Sequence, residues 1–166
     1  MTCPFSARRT LSRCAPSLLA LSCWAGAASA DVIASDPDTV LKALRAEGLA
    51  ATMETDDLGD PKIVTHLTGK SNTEFSVLFY GCTDNTDCSS IQFYVAYDMP
   101  DPVTALKMNQ WNREWLFTKA TLDDEGDPGL EMDVILADPG VDDKLFATTV
   151  DLWRQSIDAF EDFIDW

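Results

Sequence analysis

Two hexapeptides share one design: Asp56-Asp57-Leu58-Gly59-Asp60-Pro61 and Asp123-Asp124-Glu125-Gly126-Asp127-Pro128. Each gathers carboxylates around a glycine, which is how a loop presents oxygens to a hard cation such as Ca²⁺. Asp57, Asp60, Asp124 and Asp127 are the candidate ligands. The same residues also suit a tight hairpin turn, where Asp bonds its own backbone and Gly takes the left-handed conformation. Neither hexapeptide has the length or the closing Glu of an EF-hand loop, so the turn reading leads and no metal is assigned. Cys82 and Cys88 bracket five polar residues. A redox pair would show C-x-x-C, so these two read as a structural disulfide that closes a small loop and contributes roughly 2 kcal/mol. His66, the only histidine, has no second His or nearby Cys for a zinc set and no serine elbow to serve as a base.

The most distinctive run is Asn109-Gln110-Trp111-Asn112-Arg113-Glu114-Trp115. Asn109, Trp111, Asn112, Arg113 and Trp115 form a candidate recognition patch, because Trp and Arg are common interface anchors. The competing reading is structural and is preferred. Asn112 would end a helix in the left-handed conformation, and Trp111 and Trp115 would fill core beneath the C-terminal helix. No phosphate loop, H-E-x-x-H or paired catalytic carboxylates appear. The chain therefore reads as a non-enzyme without a cofactor.

The elements that position these residues follow from periodicity. A helix opens at Asp36-Pro37, with Asp36 at its cap, and stops at Gly48. Strands Leu49–Thr55 and Lys62–Thr68 flank the first acidic turn, and Gly69-Lys70-Ser71-Asn72 leads into strand Thr73–Tyr80. Strand Ser90–Tyr97 follows the cysteine loop, with Phe75, Val77 and Phe79 expected on the same side as Ile91, Phe93 and Val95. Pairing of these strands places Cys82 and Cys88 opposite one another, with Cα atoms roughly 4.5–5.5 Å apart. A helix runs from about Met99-Pro100-Asp101-Pro102 to Asn112, and a second hairpin joins Trp115–Leu122 to Gly129–Leu136. The last helix spans Asp142 to Asp165, with Leu145, Phe146, Thr149, Leu152, Trp153, Ile157, Phe160, Phe163 and Ile164 on its apolar face. The order α-β-β-β-β-α-β-β-α with tight links predicts an α+β domain, an antiparallel sheet with helices packed on it. The repeated hexapeptide reads as one good turn used twice.

The chain has 166 residues and a formal charge of −16, a length suited to one domain. Such acidity excludes a nucleic-acid binder and docking on an anionic membrane surface. Arg8, Arg9 and Arg13 precede an apolar run, Ala15 to Ala28, that is shorter than the roughly 20 residues of a membrane span. The run closes on Ala28-Ser29-Ala30, a signal-peptidase pattern. Residues 1–30 are thus expected to be a cleaved signal peptide and 31–166 a single periplasmic domain. Cleavage removes Cys3, Cys14 and Cys23, and leaves 9 Lys+Arg against 28 Asp+Glu, a charge of −19.

The runs Asp57-Leu58-Gly59-Asp60-Pro61-Lys62-Ile63, Phe79-Tyr80-Gly81-Cys82 with Cys88, Asn109-Gln110-Trp111-Asn112-Arg113 and Gly126-Asp127-Pro128 resemble the YbjN-domain family over about Asp36 to Phe163. That family is described as regulators of bacterial sensory transduction. The resemblance implies a fold similar to type III secretion chaperones, here with one extra strand, and non-enzymatic binding of a polypeptide partner or of a second copy in a homodimer. Those chaperones work in the cytoplasm, so their secretion role does not carry over to an exported chain. No catalytic or ligand residues are carried over either. The leading expectation is a periplasmic protein-binding, chaperone-like or regulatory module. The alternative is a periplasmic binder of a small ligand or divalent cation.

Overall fold

The computed structural model describes residues 32–68 and 72–166. Its elements run α1 (Pro37–Ala46), β1 (Thr52–Thr55), β2 (Pro61–His66), β3 (Glu74–Tyr80), β4 (Ser90–Ala96), α2 (Ala105–Glu114), β5 (Lys119–Leu122), β6 (Pro128–Ile135) and α3 (Asp143–Ile164). This is the α+β order read from the sequence. The six strands form one sheet, β1-β2-β3-β4-β6-β5, in which every neighbouring pair is antiparallel. Residues 1–31, with the expected signal peptide and Cys3, Cys14 and Cys23, lie outside the described residues, as does Gly69-Lys70-Ser71. Among the described residues no helix is long and apolar enough to cross a membrane.

Strict alternation fixes which face of the sheet is buried, because successive strand side chains point to opposite sides. Phe75, Val77 and Phe79 of β3 are buried with Ile91, Phe93 and Val95 of β4, and Val77 pairs with Phe93 and Phe79 with Ile91, as expected. On β6, Met132 faces Phe93 and Leu130 faces Val95. Helix α3 covers this face. Its Trp153 lies 5.9 Å from the Phe75 ring and 5.6 Å from Phe93, while Phe160 meets Tyr97 at 5.8 Å and Trp111 at 4.9 Å. Truncating any of these aromatics to Ala would cost about 3–5 kcal/mol. Helix α1 sits beside α3, tied to it by Arg154 Nη2 donating to the Glu47 carbonyl at 2.6 Å. The opposite face is polar: His66 meets its strand partner Glu74 at 3.1 Å, and Gln92 donates to Glu131 and Asp133.

One cap and several boundaries differ from the sequence reading, and β1 begins at Thr52 instead of Leu49. Asp36 precedes α1 but its side chain makes no cap bond; Thr39 Oγ1 instead accepts from Ile33 N at 3.0 Å. Helix α2 starts at Ala105, where the Thr104 hydroxyl accepts from Lys107 N, so Met99–Pro102 are a non-helical lead-in that bends at Pro100 and Asp101. It also runs through Asn112 to Glu114, and the left-handed residue downstream is Phe117, at φ 70°. Strand β5 begins only at Lys119, so Trp115–Thr118 are a connection. On α3 the buried stripe is Phe146, Val150, Trp153, Ile157, Phe160 and Ile164. Leu145 stands one position round the helix from that stripe and is 54% exposed.

Candidate functional site

The two acidic hexapeptides fold identically. The Asp56 carboxylate accepts from the backbone N–H of Leu58 and Asp60, both at 2.9 Å, and Asp123 accepts from Glu125 and Asp127, also at 2.9 Å. Glycine is required at the bend because φ is 91° at Gly59 and 90° at Gly126, where a Cβ would also come within 2.7 Å of Pro102. The last Asp of each turn is engaged as well. Asp60 accepts from Asn85 Nδ2 at 2.9 Å, and Asp127 accepts from Met99 N at 2.9 Å. Of the four candidate cation ligands, Asp60 and Asp127 thus brace neighbouring segments, while Asp57 and Asp124 belong to separate turns at the two sides of the sheet. Among the described residues no three of His, Cys, Asp and Glu gather as a metal site would need.

Cys82 and Cys88 form the expected disulfide, their Cα atoms 3.8 Å apart, closer than the expected 4.5–5.5 Å. Beyond them Thr83 and Thr86 exchange two backbone hydrogen bonds across Asp84 and Asn85, both at positive φ, a turn that matches the twist of the strands. Asn85 then reaches the first acidic turn, donating to the Leu58 carbonyl at 3.1 Å as well as to Asp60. The disulfide-closed turn therefore anchors the β1–β2 turn.

The Asn-x-Trp-Asn-Arg run divides by role. Trp111 is fully buried, stacks flat on Trp115 at 4.5 Å and donates through Nε1 to the Thr118 hydroxyl at 3.2 Å. Asn112 does not end the helix. Its side-chain amide accepts from Ala120 N at 2.7 Å and donates to Ala120 O at 3.0 Å, so it pairs with the outer edge of β5 as a neighbouring strand would. An exposed sheet edge is a template for unwanted strand addition, and this amide covers it. Asn109 and Arg113 lie exposed on α2, and Trp115 is 40% exposed. The run is one part edge clamp, one part core and one part surface.

The surface next to this run carries apolar residues that sequence reasoning passed over. Leu116 and Phe117 are 75% and 72% exposed. Phe117 overlooks a groove of about 650 Å³ between β6 and the first half of α3, lined also by Met132, Val134, Leu145 and Leu152. Asp133 and Asp151 line it too, and none of its lining residues is basic. A readable signal existed: Trp115-Leu116-Phe117 is an apolar triplet, and once it is a connection instead of a strand its side chains have no sheet face to enter.

The Tyr97 phenol is pushed well up, first by burial and then by the Glu161 carboxylate, which accepts from Thr73 Oγ1 at 2.5 Å and Tyr97 OH at 3.4 Å. Tyr80 and Tyr94 are also raised, by burial and by Glu131. Lys119 is raised by its hydrogen bond to Glu131.

The sequence profile of the YbjN family, described as "putative bacterial sensory transduction regulator", matches residues 36–166. The chain belongs to this family. The description is that of a regulator and not of a known enzyme family. No curated protein and no solved structure matches the chain. The YbjN runs quoted from the sequence fall on the first acidic turn with β2, the disulfide hairpin, the edge clamp and the second acidic turn.

Proposed function

We propose that this YbjN-family chain is exported to the periplasm, loses residues 1–30, and acts there as a non-enzymatic module that binds a polypeptide partner. One observation carries the reading: an acidic protein leaves Leu116, Phe117 and Leu145 mostly in water around a concave apolar surface. Solvated apolar clusters of this kind mark interaction sites. The export half draws support from Arg8, Arg9, Arg13 and the Ala28-Ser29-Ala30 site. Val32, the second residue past the expected cut, already exchanges two backbone hydrogen bonds with Val141.

The test is crosslinking and capture from a periplasmic fraction with the wild-type mature chain, Leu116→Asp/Phe117→Asp, and Leu58→Asp as a control on a remote exposed leucine. The reading expects a protein retained by wild type and the control and lost by the double variant. Equal capture by all three, or no captured protein, refutes it.

A further inference from the structure

We propose that the outer edge of β1 takes an extended segment of a partner polypeptide as a seventh strand, held at Met53 and Thr55. This surface is at the opposite side of the sheet from β5 and does not depend on the Leu116–Phe117 cluster. The ladder itself decides which backbone groups point outward. Asp56 N donates to the Asp60 carbonyl at 2.9 Å, so these two residues continue β1–β2 as a hydrogen-bonded pair. Such pairs alternate along an antiparallel ladder, so Glu54–Lys62 and Thr52–Val64 are hydrogen-bonded pairs as well. Pro61, which has no N–H, falls opposite Thr55, where none is needed. The N–H and C=O groups of Met53 and Thr55 therefore face away from β2. Among the described residues none of these four groups has a hydrogen-bond partner.

The open stretch has two ends. Arg45 Nε and Nη2 donate to the Ala51 carbonyl at 3.0 and 2.8 Å, and Ala51 N donates to the Leu49 carbonyl, so the edge is closed before Met53. Asp56 N is turned into the hairpin. Between them three residues stay open, about 10 Å of strand, and a cavity of about 320 Å³ lined by Pro37, Met53, Thr55 and Pro61 adjoins them. Four converging donors and acceptors on an extended backbone are matched by another extended backbone, as in strand addition to a sheet edge. Met53 shares its face with Ile63 and packs against the core, while Glu54 shares the other face with Lys62. The added segment should then carry apolar residues opposite Met53 and Thr55 and a basic residue opposite Glu54. A second copy of this chain fits poorly. Two-fold pairing that uses all four groups sets Glu54 opposite Glu54, and both chains are strongly acidic. Head-to-tail addition to β5 is closed by the Asn112 amide.

The probe is the capped peptide Thr-Val-Lys-Val-Thr, compared with the same peptide N-methylated at both valines and with Glu in place of Lys. Binding is measured by fluorescence anisotropy, and amide hydrogen exchange of the protein by NMR. In the free protein the amides of Met53 and Thr55 should exchange fast while those of Thr52 and Glu54 are protected; the peptide should slow the first pair by tenfold or more. N-methylation should weaken binding by roughly tenfold or more, the scale of losing two hydrogen bonds, and the Glu peptide should also bind more weakly. Thr55→Pro removes one outward N–H and no ladder bond, so it should fold and bind more weakly. Leu116→Asp/Phe117→Asp should bind as wild type does. The inference is overturned if the peptide fails to bind, if the N-methylated peptide binds equally, if binding leaves Met53 and Thr55 unprotected, or if Leu116→Asp/Phe117→Asp abolishes it. A folded Thr55→Pro that binds as wild type does, or a wild-type dimer in sedimentation that Thr55→Pro dissociates, overturns it too. Should Thr55→Pro not fold, the N-methylated peptide and the exchange of the two wild-type amides decide.

Discussion

Replacing Asn112 tests whether the most distinctive residue run is an edge clamp. Asn112→Ala removes two hydrogen bonds to Ala120, at 2.7 and 3.0 Å. At about 1 kcal/mol each they are worth about 2 kcal/mol. Alanine is the better helix former by roughly 0.5 kcal/mol, so the net loss should be about 1.5 kcal/mol. For the 136 residues that the proposed cleavage would leave, that lowers the melting temperature by about 5 °C. Asn112→Asp separates the clamp from generic loss of a side chain. It keeps the acceptor for Ala120 N but faces the Ala120 carbonyl with an oxygen that has no proton to give, so it should be less stable than Asn112→Ala at neutral pH. Urea denaturation reads both effects. With the edge open, Asn112→Ala should also associate more readily at high concentration, because β5 then presents unpaired backbone groups. A loss below about 0.5 kcal/mol, or an Asp variant as stable as the Ala variant, would refute the clamp.

Four further outcomes follow from the same structure. Cys82→Ser should lower stability by about 2 kcal/mol without preventing folding, and the mature protein unfolded without reductant should show no titratable thiol. Millimolar Ca²⁺ should not raise the melting temperature, since Asp56, Asp60, Asp123 and Asp127 accept hydrogen bonds within the fold. A rise abolished by Asp57→Asn plus Asp124→Asn would establish the cation reading instead. The protein purified from its native host should begin at Asp31; retention of Leu18–Ala27 or a lipid-modified Cys23 would overturn export by signal cleavage. Above about pH 10 the unfolded chain releases the Tyr97 proton while the folded chain keeps it, so stability should fall as pH rises and Tyr97→Phe should flatten that fall in pH-dependent melting.

The sheet was readable because its strands alternate cleanly: Phe75-x-Val77-x-Phe79 and Ile91-x-Phe93-x-Val95 leave one register that buries both sets. The disulfide and both turns were readable because each depends on local chemistry. Trp115-Leu116-Phe117 misled because three consecutive β-compatible apolar residues look like a strand, whereas the stacking of Trp115 on Trp111 and the positive φ at Phe117 hold them as a connection. Asn112 misled for another reason. Its partner Ala120 is eight residues away on an edge strand, and no helical periodicity reports an amide reaching across to a neighbouring element. Leu145 lies at the margin of the apolar face that helical periodicity predicts for α3, where burial ends, and it is 54% exposed.

Both edges of the sheet are made by a helix and a hairpin, α1-β1-β2 at one side and α2-β5-β6 at the other, each closed by the same acidic turn. In each, the last Asp of the turn holds a segment that leaves a central strand, Asn85 beyond β3 and Met99 beyond β4. The repeated hexapeptide is thus one turn serving two equivalent places. The runs in which the sequence resembles YbjN proteins, the Gly-Asp-Pro turns, the cysteine hairpin, Trp111 and Asn112, are largely occupied in holding turns, edge and core. A side chain committed to two backbone hydrogen bonds or buried in a stack has little left to offer a partner. Leu116, Phe117 and Leu145 lie outside those marks, contribute little to the core and remain in water. The turns, the cysteine hairpin and the edge clamp therefore build the frame, and the proposed protein binding would fall to the apolar surface that the frame leaves open beside α3.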